Sequence, residues 1–175
     1  MENLGFKKIS LDTWLQPDNL NSHFVRYSED FQEKHVITDI ERLKDILVPQ
    51  LNECVPLEIH KLFEVARGAI AYGYYFYPLY TLGREQLYRV ADAALIHKYI
   101  RVSGRKSRAS FSNRILYFKN ENLFTQEEVN NWFDIKEFRN IASHPEDQSI
   151  LYPNDALEAL CKVSAAINCL YKEEK

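Results

Sequence analysis

From Thr38 onward, apolar residues recur every three to four positions, and no run alternates convincingly as a strand would. That spacing belongs to the α-helix, in which positions i, i+3, i+4 and i+7 share a face. Thr38 with Glu41 three residues on has capping-box spacing and opens a helix over 38–51, with Ile40, Leu43, Ile46 (or Leu47) and Leu51 as its stripe. Pro56 is tolerated in a first turn, so a second helix runs over 56–77 on Ile59, Leu62, Phe63, Ala66, Ala69, Ile70 and Tyr77. Gly68 and Gly73 in it would let a neighbour come close. Pro78 interrupts the path. A third helix over 79–101 turns Leu87, Val90, Ala91, Ala94 and Leu95 to the core. A short helix spans 111–118. Thr125 with Glu128 opens another, and Asp134 with Glu137 repeats the signal, so the helix is expected to restart there. Pro145 biases His144 away from helical geometry and ends that element. A last helix over 153–171 carries Leu157, Leu160, Cys161, Ser164, Ile167 and Leu170. The expected fold is all-α: a bundle of about five to seven helices.

Residues 1–37 hold no such period. Trp14, Leu15, Phe24, Tyr27 and Phe31 are scattered among polar residues, and Pro17-Asp18-Asn19 reads as a turn. This segment is expected to be an arm, or short helices, docking on the 38–175 domain or on a partner subunit. No apolar run is long enough to span a bilayer, so no membrane association is expected, and the first residues lack the regions of a signal peptide. Cys54, Cys161 and Cys169 show no metal-ligand pattern; buried reduced thiols fit a cytoplasmic protein.

The net charge of −3 is unevenly spread. Residues 93–120 contain no Asp or Glu but hold Lys98, Arg101, Arg105, Lys106, Arg108, Arg114 and Lys119, a local charge of +7 that leaves −10 for the remainder. Such asymmetry marks either a surface that meets a polyanion or a solvated loop balanced by acidic helices nearby. Tyr72, Tyr74, Tyr75, Phe76, Tyr77 and Tyr80 form the densest aromatic cluster. Bases could stack on it, but such residues more often fill a core or a subunit interface. Glu85, Arg89 and Asp92 share a polar helical face and can form ion pairs, or hold Arg139 in place. Glu85 or Asp92 with His97 lacks metal-site spacing, and no metal or other cofactor is expected.

The chemistry concentrates in Arg139-Asn140-Ile141-Ala142-Ser143-His144, followed by Pro145. Arginine is always charged and holds phosphate, and histidine passes a proton near neutral pH. The two would suit cleavage of a phosphodiester without a metal; the bland alternative is a helix cap. On an unbroken helix they stand about 140° apart around the axis. Either the backbone unwinds at the pre-proline His144, or the site is shared with another molecule.

This Arg, four residues, His pattern, with Asn140 directly after Arg139 and the final helix to follow, resembles the HEPN superfamily. The run Leu87-Tyr88-Arg89-Val90-Ala91-Asp92-Ala93-Ala94-Leu95 is similar to that family's central helices. The resemblance covers about Thr38 to Tyr171. It implies a metal-independent endoribonuclease, often a toxin or phage-defence effector, that dimerises so that two Arg/His motifs face each other. His144 would move the ribose 2′-OH proton or protonate the leaving oxygen. Arg139 would hold the scissile phosphate, and Asn140 would orient the phosphate or the histidine. Ser143 would support them, with Glu85, Arg89 and Asp92. Lys98, Arg101, Arg105, Lys106, Arg108 and Arg114 would track RNA phosphates. The acidic remainder points to a narrow substrate, such as a tRNA loop, or to restraint by a partner. Some family toxins are modified near the motif by an antitoxin, and Tyr152 is a candidate target. Other members are non-catalytic binding or dimerisation modules, which is the second reading.

Overall fold

Thr38 caps α1 (Asp39–Leu47) in the computed structural model as its spacing predicts. Its hydroxyl accepts from the Glu41 N–H at 3.2 Å, and the Glu41 carboxylate accepts from the Thr38 N–H at 2.9 Å. The structure describes residues 5–27, 33–105, 108–142 and 151–172, the side chains of 138–142 excepted. Among them follow α2 (Leu57–Tyr72), α3 (Leu79–Ser103), α4 (Phe111–Asn120), α5 (Gln126–Ala142) and α6 (Pro153–Leu170). The fold is an all-α bundle, with one small exception. Two three-residue strands, β1 (Val25–Tyr27) and β2 (Lys34–Val36), pair antiparallel with Arg26 opposite His35. Strands this short leave no alternation to read.

Besides α1, which ends at Leu47 rather than 51, two helices differ from expectation. α2 ends at Tyr72 rather than 77, and the chain turns back so tightly that a Cβ on Gly73 would sit 2.7 Å from the Tyr80 ring. α5 does not restart at Asp134. The Thr125/Glu128 box starts it. Trp132 and Ile135, both buried, keep one stripe in register on either side of Asp134. The Asp134 carboxylate instead lies 3.4 Å from Lys162 Nζ on α6.

α3 is the central helix, packed on α2, α4, α5 and α6. Leu87, Val90, Ala91, Ala94 and Leu95 are fully buried along it, as their spacing predicts. The close approach of α2 to α3 is made at Gly83. A Cβ there would meet Ile70 Cγ1 at 2.4 Å and the Ile70 backbone nitrogen at 3.0 Å, whereas Gly68 faces open space. Phe118, Phe124 and Trp132 join α4 to α5, with ring centroids 4.9 and 6.2 Å apart along the series. The cysteines are free, but Cys54 and Cys161 are exposed and Cys169 is only half-buried, so they are not the buried thiols expected.

The arm is clamped on the α2–α3 turn by two buried polar residues. Asp18 Oδ2 accepts from the Tyr77 N–H at 3.1 Å. Asn21 Nδ2 donates to the Tyr74 carbonyl at 2.9 Å, and its Oδ1 accepts from the Tyr80 hydroxyl at 3.3 Å. Asn21→Ala would leave that hydroxyl unpaired in the core and is expected to cost about 1–3 kcal/mol, read as a lower urea midpoint with an unchanged slope. The hairpin is tied to α1 by Arg26 with Asp45 (2.5 Å) and His35 with Glu41 (2.7 Å). The Thr38 backbone hydrogen bond and His35 hold the Glu41 carboxyl down at about 2.

α1 also reverses an expectation. Of its expected stripe Ile46 and Leu51 are buried, but Ile40, Leu43 and the alternative Leu47 are exposed at 57%, 39% and 43%, and Arg42 is buried. Arg42 faces inward because its guanidinium donates to Asn154 Oδ1, at 3.1 Å, beside the first turn of α6. The outward stripe thus lies open.

Candidate functional site

Arg139 and Asn140 stand in the last turns of α5, which continues helically to Ala142. Their side chains, and the whole of Ser143, His144 and Pro145, lie outside the described residues. The pole of the bundle that receives this end of α5 is well defined. Ile135, one turn before Arg139, lines a cleft of about 270 Å³ with Arg84 and Tyr88 of α3 and Asp155, Glu158 and Lys162 of α6. Leu151, before α6, donates its N–H to Thr81 Oγ1 at 3.2 Å. Leu151 and the end of α5 thus both lie at the pole where α3 and α6 begin.

This cleft carries two cations and two carboxylates. Arg84 Nε is buried, and among the described residues no hydrogen-bond partner satisfies it. Burial pushes the Tyr88 hydroxyl up to about 12, against the opposing effect of Arg84, so it stays protonated at neutral pH. Neither Arg84 nor Lys162 stands out in the sequence. Only the antiparallel packing of α5 on α3 and α6 brings them beside the Arg139 turn.

The remaining site residues fall elsewhere. Asp92 pairs with Arg114 of α4, not with Arg89. Arg89 is exposed and Glu85 half-buried, and no ion pair joins them among the described residues. Arg114, expected on an RNA-facing surface, is 5% exposed. Its guanidinium also donates to the Ala109 carbonyl at 2.6 Å and lies over the Phe111 ring. It is part of the α3–α4 joint and is turned away from solvent. Lys98 covers the Tyr171 ring at 5.7 Å. Arg101, Arg105 and Arg108 are exposed around the end of α3, and Lys106 lies outside the described residues. Arg101 is 17 residues along α3 from Arg84, about 25 Å at 1.5 Å per residue. One chain therefore does not bring its basic segment and its Arg139 turn together.

The aromatic cluster divides. Tyr77 and Tyr80 are core residues, while Tyr72 is exposed. Tyr152, the candidate modification target, is exposed just before α6 and meets Phe24 edge-on at 6.0 Å. Among the described residues no cluster of three or more His, Cys, Asp or Glu is placed to hold a metal ion, and no helix is long and apolar enough to cross a membrane. Compared with protein-family models, with curated proteins and with solved structures, the chain matches none.

Proposed function

We propose that the chain is a metal-independent endoribonuclease of HEPN type that works as a homodimer. The observation carrying this reading is the placement of Arg139 and Asn140 at the unbroken end of α5, beside a cleft with an arginine donor unsatisfied among the described residues. An unwound turn is not needed if the arginine of one copy works with the histidine of the other. The about 140° between Arg139 and His144 on a continuous helix favours that arrangement.

In this reading His144 accepts the ribose 2′-OH proton as the 2′-oxygen attacks phosphorus. Arg139 holds the non-bridging oxygens as charge builds on them, and Asn140 orients the phosphate. The 5′-oxygen leaves with a proton from the second histidine. The products are a 2′,3′-cyclic phosphate and a 5′-hydroxyl. The exposed Arg101, Arg105 and Arg108 would track a flanking strand, reaching across from the partner copy or along an extended RNA. A chain acidic outside residues 93–120 fits a narrow substrate such as a tRNA loop, and a toxin or phage-defence role restrained by a partner. The test is total RNA incubated with the pure protein in a chelator. Cyclic-phosphate ends are expected, and a substrate with deoxyribose at the cleavage position should resist. Cleavage that needs a divalent cation, or that also cuts the deoxy substrate, would overturn the reading. A protein that binds RNA without cutting it would instead be the non-catalytic module.

A further inference from the structure

Away from α5 lies a pocket of about 460 Å³ between the arm, the outer face of α1 and the end of α2. Trp14, Tyr72 and Tyr75 supply aromatic walls, Ile40 and Leu43 an aliphatic one, and Asp39 the only ionisable acid or base in the lining other than tyrosine. Trp14 and Tyr72 are 55% and 63% exposed, so the rings are offered rather than packed away. Tyr72 and Tyr75 stand at 46° to each other with centroids 6.4 Å apart, a tilted pair.

Asp39 gives this apolar pocket a charge. Its Oδ1 accepts from the Ile40 N–H and its Oδ2 from the Tyr75 hydroxyl, both at 2.8 Å. These are neutral donors, and among the described residues no basic side chain pairs with it. The bond to Asp39 raises the Tyr75 hydroxyl above its ordinary range, so the phenol remains the donor. Aromatic faces carry negative quadrupole potential and attract cations, more strongly when the cation is desolvated. Three such rings around an unmatched carboxylate, with aliphatic walls to take a hydrocarbon, define one ligand chemistry.

We propose that this pocket binds an organic cation, an ammonium carried on an apolar body. The group comes either as a free quaternary ammonium or as the basic side chain of a partner chain. The site is independent of the ribonuclease reading, since α5 contributes nothing to it. Nitrogen-15 NMR of the full chain, titrated with choline and with its neutral isostere 3,3-dimethylbutan-1-ol, reads the effect of charge at constant shape. A second pair, the methylamides of N-acetyl-lysine and N-acetyl-norleucine, does the same for a side chain.

The expected result is movement of the Trp14 indole and the Asp39 and Tyr72 amides, with a cation favoured about fivefold or more over its isostere. Preference within the choline pair identifies a free ammonium, and within the lysine pair a partner side chain. Asp39→Asn should erase that preference while leaving isostere binding in place, and Tyr72→Ala should weaken cation binding further. Equal binding of cation and isostere in both pairs, or no shift at these residues with any of the four, would overturn the proposal.

Discussion

Arg139→Ala is expected to lower RNA cleavage about a hundredfold or more, the usual loss when a preorganised group facing transition-state charge is removed. Arg139→Lys should recover little of it. A lysine restores the charge but not the planar fork that grips two phosphate oxygens at once. Single-turnover rates on one RNA separate the two variants, with circular dichroism showing that α5 persists in both. A lysine variant as fast as wild type would mean that only long-range charge is needed. An alanine variant as fast as wild type would mean that the end of α5 does not touch the reacting phosphate.

The second large effect is on stability. Asp92→Ala removes a carboxylate from the buried Arg114 guanidinium, and is expected to cost about 3 kcal/mol. In a chain of this size that is a large share of the total, and the urea midpoint should fall accordingly. Asp92→Asn keeps an acceptor for the guanidinium and should lose less. Arg114→Met should also lose less than Asp92→Ala, because it removes the buried charge together with its need for a carboxylate. If Asp92→Ala unfolds like wild type, the Asp92–Arg114 pair does not hold the joint between α3 and α4.

The helices were legible because their signals are local. Thr38 with Glu41 and Thr125 with Glu128 cap as their spacing says, and the α3 stripe from Leu87 to Leu95 is buried throughout. What misled was local signal overridden by packing. Asp134 with Glu137 has cap spacing, yet Trp132 and Ile135 hold the helix continuous across it. Ile40 and Leu43 share a helical stripe with Ile46 and Leu51, but only the latter two are buried, because Arg42 takes the inward face by reaching Asn154. Gly83, not Gly68, admits the neighbouring helix, because which glycine lies under a crossing depends on the partner's register.

The candidate site was legible only as residue types. Arg139, Asn140 and His144 stand out by chemistry and spacing, and α5 carries the first two to a defined pole of the bundle. The sequence could not reveal that Arg84 and Lys162 share that pole, nor that the basic segment lies at the other end of α3. Both follow from the antiparallel arrangement of α3 and α5, which no local pattern encodes. Arg114 looked like one more surface cation. Its partner is 22 residues away on another helix, and only the packing of α4 on α3 reveals it.

The most direct measurement compares wild type with His144→Ala on the same RNA, in chelator, reading 2′,3′-cyclic phosphate ends. An Arg139/His144 ribonuclease gives those ends with the wild-type chain and loses them about a hundredfold or more in the variant, as removal of a general base requires. Equal cleavage by the two chains would contradict it.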